Sequence, residues 1–300
     1  MGLLMVIWIF SPRKPPPKEL RVLALSSSGR YLAAGTSAGA IQLWNLRTRT
    51  LIRTFESPFG TLNDLQFSPE ESYLAVANRN LTMFSTANPG ERLALRDDEA
   101  NYGSIRFHPT TPTVLTINGK GEVMTLNLPS KQWNFSYCCT SIWGDVDFDS
   151  SGTRVIWAGH WPGISDLITN ELLGRFTKTY QEMTFGPIAI DAPQSLILMG
   201  SQDGRVYAWN SQTRELVARS RALPGYVRTI AVLDHGWLTF ASTGGPIHLW
   251  NPLASKHEQL QHARPTSNLI YDAARHRTLF GNASGKIEAW DLLNRRQEVF

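Results

Sequence analysis

GSQDGRVYAWN, residues 200–210, contains the pattern that decides the fold: a small residue, a turn glycine four positions later, then a bulky apolar residue followed by a polar one. The turn glycine recurs along the chain with separations of 82, 42, 41, 41 and 40 residues. The separation of 82 is two periods, and its midpoint at Arg79 lies in a segment with the same pattern. The chain therefore contains seven repeats. The turn glycines are Gly39, Gly121, Gly163, Gly204, Gly245 and Gly285.

Three further positions recur in register with the turn. We expect the small residue to leave room for the bulky residue of a neighbouring repeat, and the tryptophans at the bulky position to be largely buried. The small position holds Gly35, Ala75, Ile117, Gly159, Gly200, Ala241 and Gly281. The bulky position holds Trp44, Phe84, Leu126, Ile168, Trp209, Trp250 and Trp290. The polar position holds Asn45, Ser85, Asn127, Thr169, Asn210, Asn251 and Asp291.

Each repeat has four short apolar runs separated by turn residues, as in residues 20–25, 31–35, 40–44 and 51–55. Four strands at a period of about 40 to 45 residues are typical of propeller blades, whose twisted sheets bury both faces against their neighbours. The sequence therefore predicts an all-β, seven-bladed β-propeller with four antiparallel strands per blade, preceded by a separate segment 1–19. The predicted domain is 20–300, with blades at 20–56, 62–96, 103–137, 142–178, 182–221, 227–262 and 267–300.

Residues 26–52, 200–217 and 281–299 resemble the strand-turn-strand core of WD-repeat proteins, which ends in Trp-Asp or Trp-Asn. The resemblance covers about residues 20 to 300 and implies the propeller fold, in a family that has many roles. WD repeats often have a Gly-His pair before the first strand and a turn Asp that bonds to a Ser or Thr and the Trp. Here Asp203 alone holds the turn Asp. We therefore expect these blades to depend more on apolar packing.

The composition favours a globular, non-enzymatic protein. Hydrophobic residues make up 42% and charged residues 18%, and the formal charge of +4 is due in large part to Arg13, Lys14, Lys18 and Arg21. Because the remaining charge is scattered, nucleic acid is not the expected partner. The chain has no GxSxG, HExxH, GxxxxGK or post-strand GxGxxG motif, so we expect no catalytic residue, cofactor or metal. A propeller enzyme or small-ligand sensor with a site at the central channel remains the alternative.

Two groups of metal-binding residue types have simpler interpretations. The seven histidines fall at unrelated positions within their repeats, which does not favour a ligand set. Asp145, Asp147 and Asp149 have the spacing of a calcium loop, but Val146 and Phe148 between them indicate a strand with one acidic face. The adjacent Cys138 and Cys139 are expected to pack in an outer strand, because neither a disulfide framework nor a CxxC pair is present.

The fourth repeat contains the candidate interaction surface. His160 and Trp161 are predicted to lie in a solvent-facing loop, where a large rigid ring can bury much area on binding. Trp157 and Trp143 are further candidates, although either could be a core strand residue. We expect a propeller that is itself monomeric, works within a larger complex and binds a protein or peptide across one rim.

The N-terminal segment MGLLMVIWIF, residues 1–10, is uncharged and is followed by a proline-rich stretch, 12–17. Ten residues are too few to cross a bilayer as a helix, which needs about 20. The segment also has no charge before its apolar run, unlike a signal peptide. An anchor remnant, an edge strand of the ring and a flexible tail therefore stay open. A cytoplasmic location is favoured and a membrane-tethered one is the alternative.

Deletion of residues 1–18 is expected to leave the propeller intact, because blade 7 can take its outer strand from 295–300. The truncated protein should remain soluble, melt within a few degrees of the parent and lose any membrane association. Thermal melting and vesicle flotation measure these two properties. A large loss of stability would instead identify residues 3–10 as a strand of the fold.

Overall fold

The computed structural model describes residues 19–57, 59–88, 90–96, 100–136, 144–176, 183–260 and 263–299. These residues form seven four-stranded antiparallel sheets, each made of four strands consecutive in the sequence. The seven-bladed propeller predicted from the repeats is confirmed. The N-terminal segment 1–18 lies outside the described residues. No helix in the described ranges is long and apolar enough to cross a membrane.

The sheets are numbered as blades 1 to 7 along the chain, and the strands of blade 1 lie within one residue of their predicted positions. Blade 1 contains β1 (Leu20–Leu25), β2 (Tyr31–Thr36), β3 (Ala40–Asn45) and β4 (Thr50–Glu56). Blade 2 contains β5 (Asp64–Phe67), β6 (Tyr73–Ala77), β7 (Leu81–Ser85) and β8 (Arg92–Arg96). Blade 3 contains β9 (Ser104–Phe107), β10 (Thr113–Ile117), β11 (Val123–Asn127) and β12 (Gln132–Ser136). Blade 4 contains β13 (Val146–Phe148), β14 (Arg154–Trp157), β15 (Gly163–Asp166) and β16 (Leu172–Arg175).

Blades 5 to 7 complete the ring, and two 3₁₀ turns, Asp234–Gly236 and Ala273–Arg275, are the helical elements of the described chain. Blade 5 contains β17 (Phe185–Asp191), β18 (Leu196–Ser201), β19 (Val206–Asn210) and β20 (Leu216–Arg219). Blade 6 contains β21 (Val227–Val232), β22 (Leu238–Ser242), β23 (Ile247–Asn251) and β24 (Lys256–Gln259). Blade 7 contains β25 (Ile270–Asp272), β26 (Arg277–Gly281), β27 (Ile287–Asp291) and β28 (Arg296–Val299).

The first strand of each blade lies at the centre of the ring, because first strands of neighbouring blades contact one another, including those of blades 7 and 1. The fourth strand is therefore the outer edge. Antiparallel order places the turns between second and third strands, and the links between blades, on one face of the disk, called here the upper face. The first–second and third–fourth turns lie on the opposite, lower face.

Apolar packing between blades forms the core. A cluster of buried apolar side chains lies at each of the seven blade interfaces. Each cluster combines side chains from two adjacent sheets, such as Ile156 and Ile164 of blade 4 with Ile197 and Met199 of blade 5. Removal of apolar surface from water contributes roughly 25 cal/mol per Å². Every blade therefore depends on both neighbours for its stability.

Glycine at the small position is explained by close approach of the next blade. A Cβ at Gly200 would lie 2.6 Å from Val227, and one at Gly281 would lie 2.4 Å from Leu20. The expectation that the repeat tryptophan fills this space is wrong, because aliphatic side chains of the next first strand occupy it. These short aliphatic side chains draw the first strands close together around the channel.

The repeat tryptophans are buried to different extents. Trp209 and Trp250 are 1% and 4% exposed, as predicted. Trp209 lies among the rings of Phe176, Phe185 and Tyr207. Trp44 and Trp290 are partly buried, less completely than Trp209 and Trp250. Trp44, for example, packs against a cluster of smaller side chains, including Ala34 and Ala289, that do not enclose the indole.

The predicted register is wrong in blades 2 and 4, because their second–third turns are two residues shorter than those of the other blades. Gly200 pairs with Val206 in blade 5, whereas Ala77 pairs with Leu81 in blade 2. Ala77, not Ala75, thus takes the small position. In blade 4, Gly163 lies within β15, Ser165 takes the bulky position and Asp166 the polar one. The residues predicted there, Ile168 and Thr169, lie in the third–fourth turn, with Ile168 89% exposed.

Asp203, the one turn aspartate, binds within its own blade. Its carboxylate accepts hydrogen bonds from the Tyr207 hydroxyl at 2.8 Å and the Arg205 amide at 3.1 Å. The Tyr207 ring stacks on Trp209, with centroids 5.6 Å apart. The WD-repeat resemblance implied that the turn aspartate bonds to a Ser or Thr and to the Trp. Here Asp203 instead accepts from the hydroxyl of Tyr207, whose ring stacks on Trp209.

Side-chain hydrogen bonds join blade 7 to blade 1. The Asn268 side chain accepts from the Leu23 amide at 2.7 Å and donates to the Leu23 carbonyl at 3.0 Å. The Thr266 hydroxyl donates to the Leu20 carbonyl at 2.9 Å. Both contacts reach β1, so side-chain hydrogen bonds from the segment before β25 close the ring without a strand shared between the two blades.

Replacement of Trp209 by Ala is expected to lower the free energy of unfolding by about 3 to 5 kcal/mol, because the ring is fully enclosed. Trp44→Ala should cost clearly less, because Trp44 is half-buried. Urea denaturation of both variants and the parent measures the difference. Equal losses would contradict the assigned difference in packing.

Candidate functional site

The second–third turn of blade 4 presents an exposed aromatic ring on a fixed backbone. The Trp161 side chain is 42% exposed on the upper face. Its carbonyl accepts hydrogen bonds from the Trp157 indole at 2.9 Å and the Arg175 guanidinium at 2.6 Å. Two strands of the blade, β14 and β16, therefore anchor the turn. This short, anchored turn can present the ring with little loss of conformational entropy on binding.

His160 lies beside Trp161 and is exposed. Its Nδ1 lies 3.0 Å from the hydroxyl of Thr184, in the link between blades 4 and 5. The structure thus places both predicted loop residues on the upper face. Because His160 bonds to a hydroxyl and lies beside an aromatic ring, the pair offers hydrogen bonding and apolar contact, which suits binding of another protein.

The other two candidates do not join this surface. Trp157 is 2% exposed, so its assignment to an interaction surface is wrong. Its ring occupies the space that a side chain at Gly163 would need, 2.6 Å from an ideal Cβ there. The Arg175 guanidinium lies 5.7 Å from the Trp157 ring centroid. Trp157 is therefore a core residue that supports the turn. Trp143 lies outside the described residues, as do Cys138 and Cys139.

A charged cluster at the channel joins four blades. Arg106 of β9 donates to Asp64 at the start of β5, and to Asp145 just before β13 at 3.2 Å. Asp147 lies 3.9 Å from Arg106 Nε. Asp145 also accepts from the Ile188 amide of blade 5 at 3.1 Å. Asp145 and Asp147 thus contact an arginine and do not form a calcium loop together with Asp149. The cluster connects the first strands of four blades.

Sequence reasoning missed this cluster because its members come from different repeats. A usable signal was present, since Asp64 and Asp145 lie two repeats apart at the beginning of first strands. In the described part of the chain, no group of three or more Asp, Glu, His or Cys side chains has the arrangement of a metal site. The Arg106 guanidinium already occupies the position between the carboxylates. These acids thus serve contacts between blades, which does not favour the alternative of a channel site.

Burial changes the pKa of the clustered groups. Desolvation raises the pKa of Asp147 to about 6, against the opposing effect of Arg106. Desolvation also raises the pKa of Asp64. Burial opposes the charge of Arg106, but its carboxylate neighbours, Asp64 foremost, raise the Arg106 pKa above its usual value. Burial therefore favours the protonated form of Asp147 over a wider pH range than that of an exposed aspartate.

A histidine pair in blade 6 was also missed. His248 on β23 and His257 on β24 are joined by a 2.9 Å contact between Nδ1 and Nε2. Burial, and then the charge of His257, lowers the pKa of His248 to about 4. Burial also lowers the pKa of His257. Both rings are consequently neutral at pH 7, as expected for a hydrogen-bonded pair packed on Phe240.

Asp147→Asn is expected to stabilise the protein above pH 6 and to have little effect near pH 4. The folded-state pKa lies above the unfolded value, so this residue's contribution to stability is present at low pH and lost as pH rises from about 4 through 6. Asparagine removes that loss, a gain of about 1 to 2 kcal/mol at pH 7. Urea denaturation at pH 4, 5, 6 and 7 measures it.

Asp166→Asn is the matched control in the same blade, with the opposite sign. Amides of Thr169 and Ile168 lower the pKa of Asp166, so its stabilisation is present at neutral pH and lost as pH falls below about 4. This variant should be less stable than the parent at pH 7. A loss of stability at pH 7 in both variants would contradict the assignment of Asp147.

Known proteins with similar sequences are matched over short parts of their length. The sequence matches no protein-family model. It is 24% identical over 238 residues to Telomerase protein component 1 of Rattus norvegicus, covering 76% of this chain and 9% of that protein. It is 39% identical over 61 residues to the U3 snoRNP-associated protein-like YAOH of Oryza sativa subsp. japonica, covering 19% of this chain and 12% of that protein. The chain thus matches about a tenth of each relative's length.

A solved structure matches nearly the whole chain. The crystal structure of the Myceliophteria thermophila Cps50 (Swd1) beta-propeller domain superposes with a TM-score of 0.77 at 13% sequence identity. The match covers 92% of this chain and 98% of that domain. At this identity the likeness concerns the fold. Together with the seven sheets and their repeat pattern, it identifies the fold of this chain as a seven-bladed β-propeller with four antiparallel strands per blade.

Proposed function

We propose that this propeller is a non-enzymatic platform that binds a protein or peptide at the upper face of blade 4, with Trp161 at the centre of the contact. The observation that carries the proposal is the exposed Trp161 ring on a backbone held by Trp157 and Arg175. Tryptophan is enriched among residues that dominate binding energy. Because the turn is anchored, the exposed ring can be covered by a partner with little loss of conformational entropy.

The names of the relatives and the contacts of the charged cluster at the channel both support a binding platform. One relative is named as a component of telomerase and another as associated with the U3 snoRNP, so both names describe members of larger assemblies. The charged groups at the channel contact neighbouring blades. We therefore infer that this propeller also belongs to a larger complex, in which it contributes a rigid surface.

Trp161→Ala is expected to change the free energy of unfolding by less than about 1 kcal/mol, because the ring is half in solvent. Binding of the partner should weaken by about tenfold or more, as for a central interface tryptophan. The tagged protein is used to capture partners from native extract, and quantitative mass spectrometry compares recovery by the variant and parent. Thermal melting of the same samples reports stability.

Ile168→Ala is the matched control. Ile168 is an exposed apolar residue of the same blade, but it lies in a third–fourth turn on the lower face. This variant should capture the same proteins as the parent. Loss of the same partners in both variants, or a large fall in the melting temperature of Trp161→Ala, would contradict the proposal.

A further inference from the structure

We propose that a groove on the lower face between blades 4 and 5 binds an acidic segment of a peptide through Arg154 and Arg214. The proposal goes beyond the upper-face platform, because it assigns a second binding surface on the opposite side of the disk. It rests on an arginine–glutamate ion pair between adjacent blades, which the propeller forms in two other places and does not form between the described residues of blades 4 and 5.

The repeated contact begins in the third–fourth turn. The polar residue that ends the third strand accepts hydrogen bonds from turn amides, as Asn210 does from Gln212 and Thr213, both at 2.9 Å. The residue four positions after it has a positive φ, and in three blades it is arginine. These are Arg49 (φ 56°), Arg214 (φ 62°) and Arg295 (φ 52°). Equivalent turns therefore place these three side chains at equivalent positions, each beside the preceding blade.

Two of these arginines pair with a glutamate of the preceding blade. Arg49 of blade 1 lies 3.4 Å from Glu298 of blade 7, and Arg295 of blade 7 lies 3.2 Å from Glu258 of blade 6. The glutamates are equivalent, because Glu298 pairs in register with Ala289, and Glu258 with Leu249, each two residues before the polar residue. At two blade interfaces, an arginine in the third–fourth turn of one blade thus forms an ion pair with a glutamate in the fourth strand of the preceding blade.

Blade 4 has glycine at the glutamate position. Gly174 pairs with Ile164, two residues before Asp166, so it is the equivalent of Glu258 and Glu298. An ideal Cβ at Gly174 would lie 2.5 Å from Nε of Arg214. The arginine side chain therefore lies across the glycine, in the place where the other blades supply a carboxylate. No acidic side chain of the described ranges is within ion-pair distance of Arg214.

A cavity opens beside this guanidinium. It has a volume of about 510 Å³ and is lined by Arg214 and Gln212 of blade 5 and by the first–second turn of blade 4, including Arg154. Arg154 and Arg214 are half-buried, and Arg154 also has no acidic partner at ion-pair distance in the described residues. Asp149 is the acid of the lining, and its oxygens accept from the Arg154 amide at 3.0 Å and the Ser151 hydroxyl at 2.7 Å.

Charge complementarity identifies the group that enters. In the larger cavity two guanidiniums face one carboxylate, Asp149, whose oxygens are already hydrogen-bonded, so this lining has an excess of positive charge and of donors. Guanidinium recognises carboxylate and phosphate oxygens with paired hydrogen bonds. An acidic side chain entering here would complete the bridge that Glu258 and Glu298 complete elsewhere in the ring.

The depth of the groove favours a peptide over other sources of negative charge. A second cavity of about 160 Å³ shares Asp149, Arg154 and Gln212 with the first and continues between the blades. Its lining includes Ile156, Ile164 and Ile190, and also Asp191, whose Oδ1 accepts a hydrogen bond from the Gln194 amide at 3.2 Å. An aliphatic side chain next to an acidic one would fill both spaces. Free phosphate, or the backbone of a nucleic acid, offers no such aliphatic group.

The test uses the full chain and a fluorescein-labelled, amidated peptide, Glu-Glu-Leu-Glu-Glu, followed by fluorescence anisotropy. The parent should bind this probe, and a Gln-Gln-Leu-Gln-Gln peptide should not bind. Arg154→Ala and Arg214→Ala should each raise the Kd about tenfold, since each removes charge-assisted hydrogen bonds. Thermal melting of each variant confirms folding, and Arg214→Lys provides a milder change that keeps the charge.

Arg295→Ala is the matched control, because it removes the same charge from the equivalent turn, where the arginine is already paired with Glu258. It should change the Kd by less than about twofold. Equal weakening by Arg295→Ala and Arg214→Ala would overturn the proposal, as would the absence of binding to the parent. Inorganic phosphate or an oligothymidine that binds more tightly than the peptide, and depends on the same arginines, would also overturn it.

Discussion

The hydrogen bonds between Asn268 and Leu23 join the last blade to the first, and the rest of the ring depends on this junction. A four-stranded sheet of this kind buries both faces only when a neighbour stands on each side. Six of the seven interfaces lie between blades joined by the chain itself. At the seventh interface, side chains alone bring β1 against β25 and β26, aided by Thr266 and by the Arg49–Glu298 pair.

The first strands also position the buried charged groups at the channel. Arg106 draws Asp64 and Asp145 toward one point at the channel, and Asp145 reaches on to blade 5. Burial of these charges is tolerated because each is paired and hydrogen-bonded, while Asp147, at the edge of the cluster, is the least well compensated. Removing Arg106 would be costly, because the carboxylates would stay buried without their counter-charge. The channel is therefore primarily a structural element.

The fold could be predicted from the sequence because a 41-residue period leaves few alternatives, and because Gly200 and Trp209 recur in recognisable form in several repeats. The register predicted from the repeat was wrong in blades 2 and 4, where the turn between the second and third strands is two residues shorter. Gly163 has the spacing of a turn glycine but lies in β15, opposite Trp157. Trp161 was located because loop residues follow from strand positions. The channel cluster and the groove were not, since their residues meet only when separate repeats are packed side by side.

Blade 4 lies opposite the junction of blades 7 and 1 in a ring of seven. That junction is the one interface without a peptide link, so transient opening of the ring is easiest there. The Trp161 turn and the groove beside Arg214 are both built on blades 4 and 5, on opposite faces. Opening at the seam would leave these two blades joined to their neighbours by the chain, so a partner at either proposed site would contact an intact part of the ring.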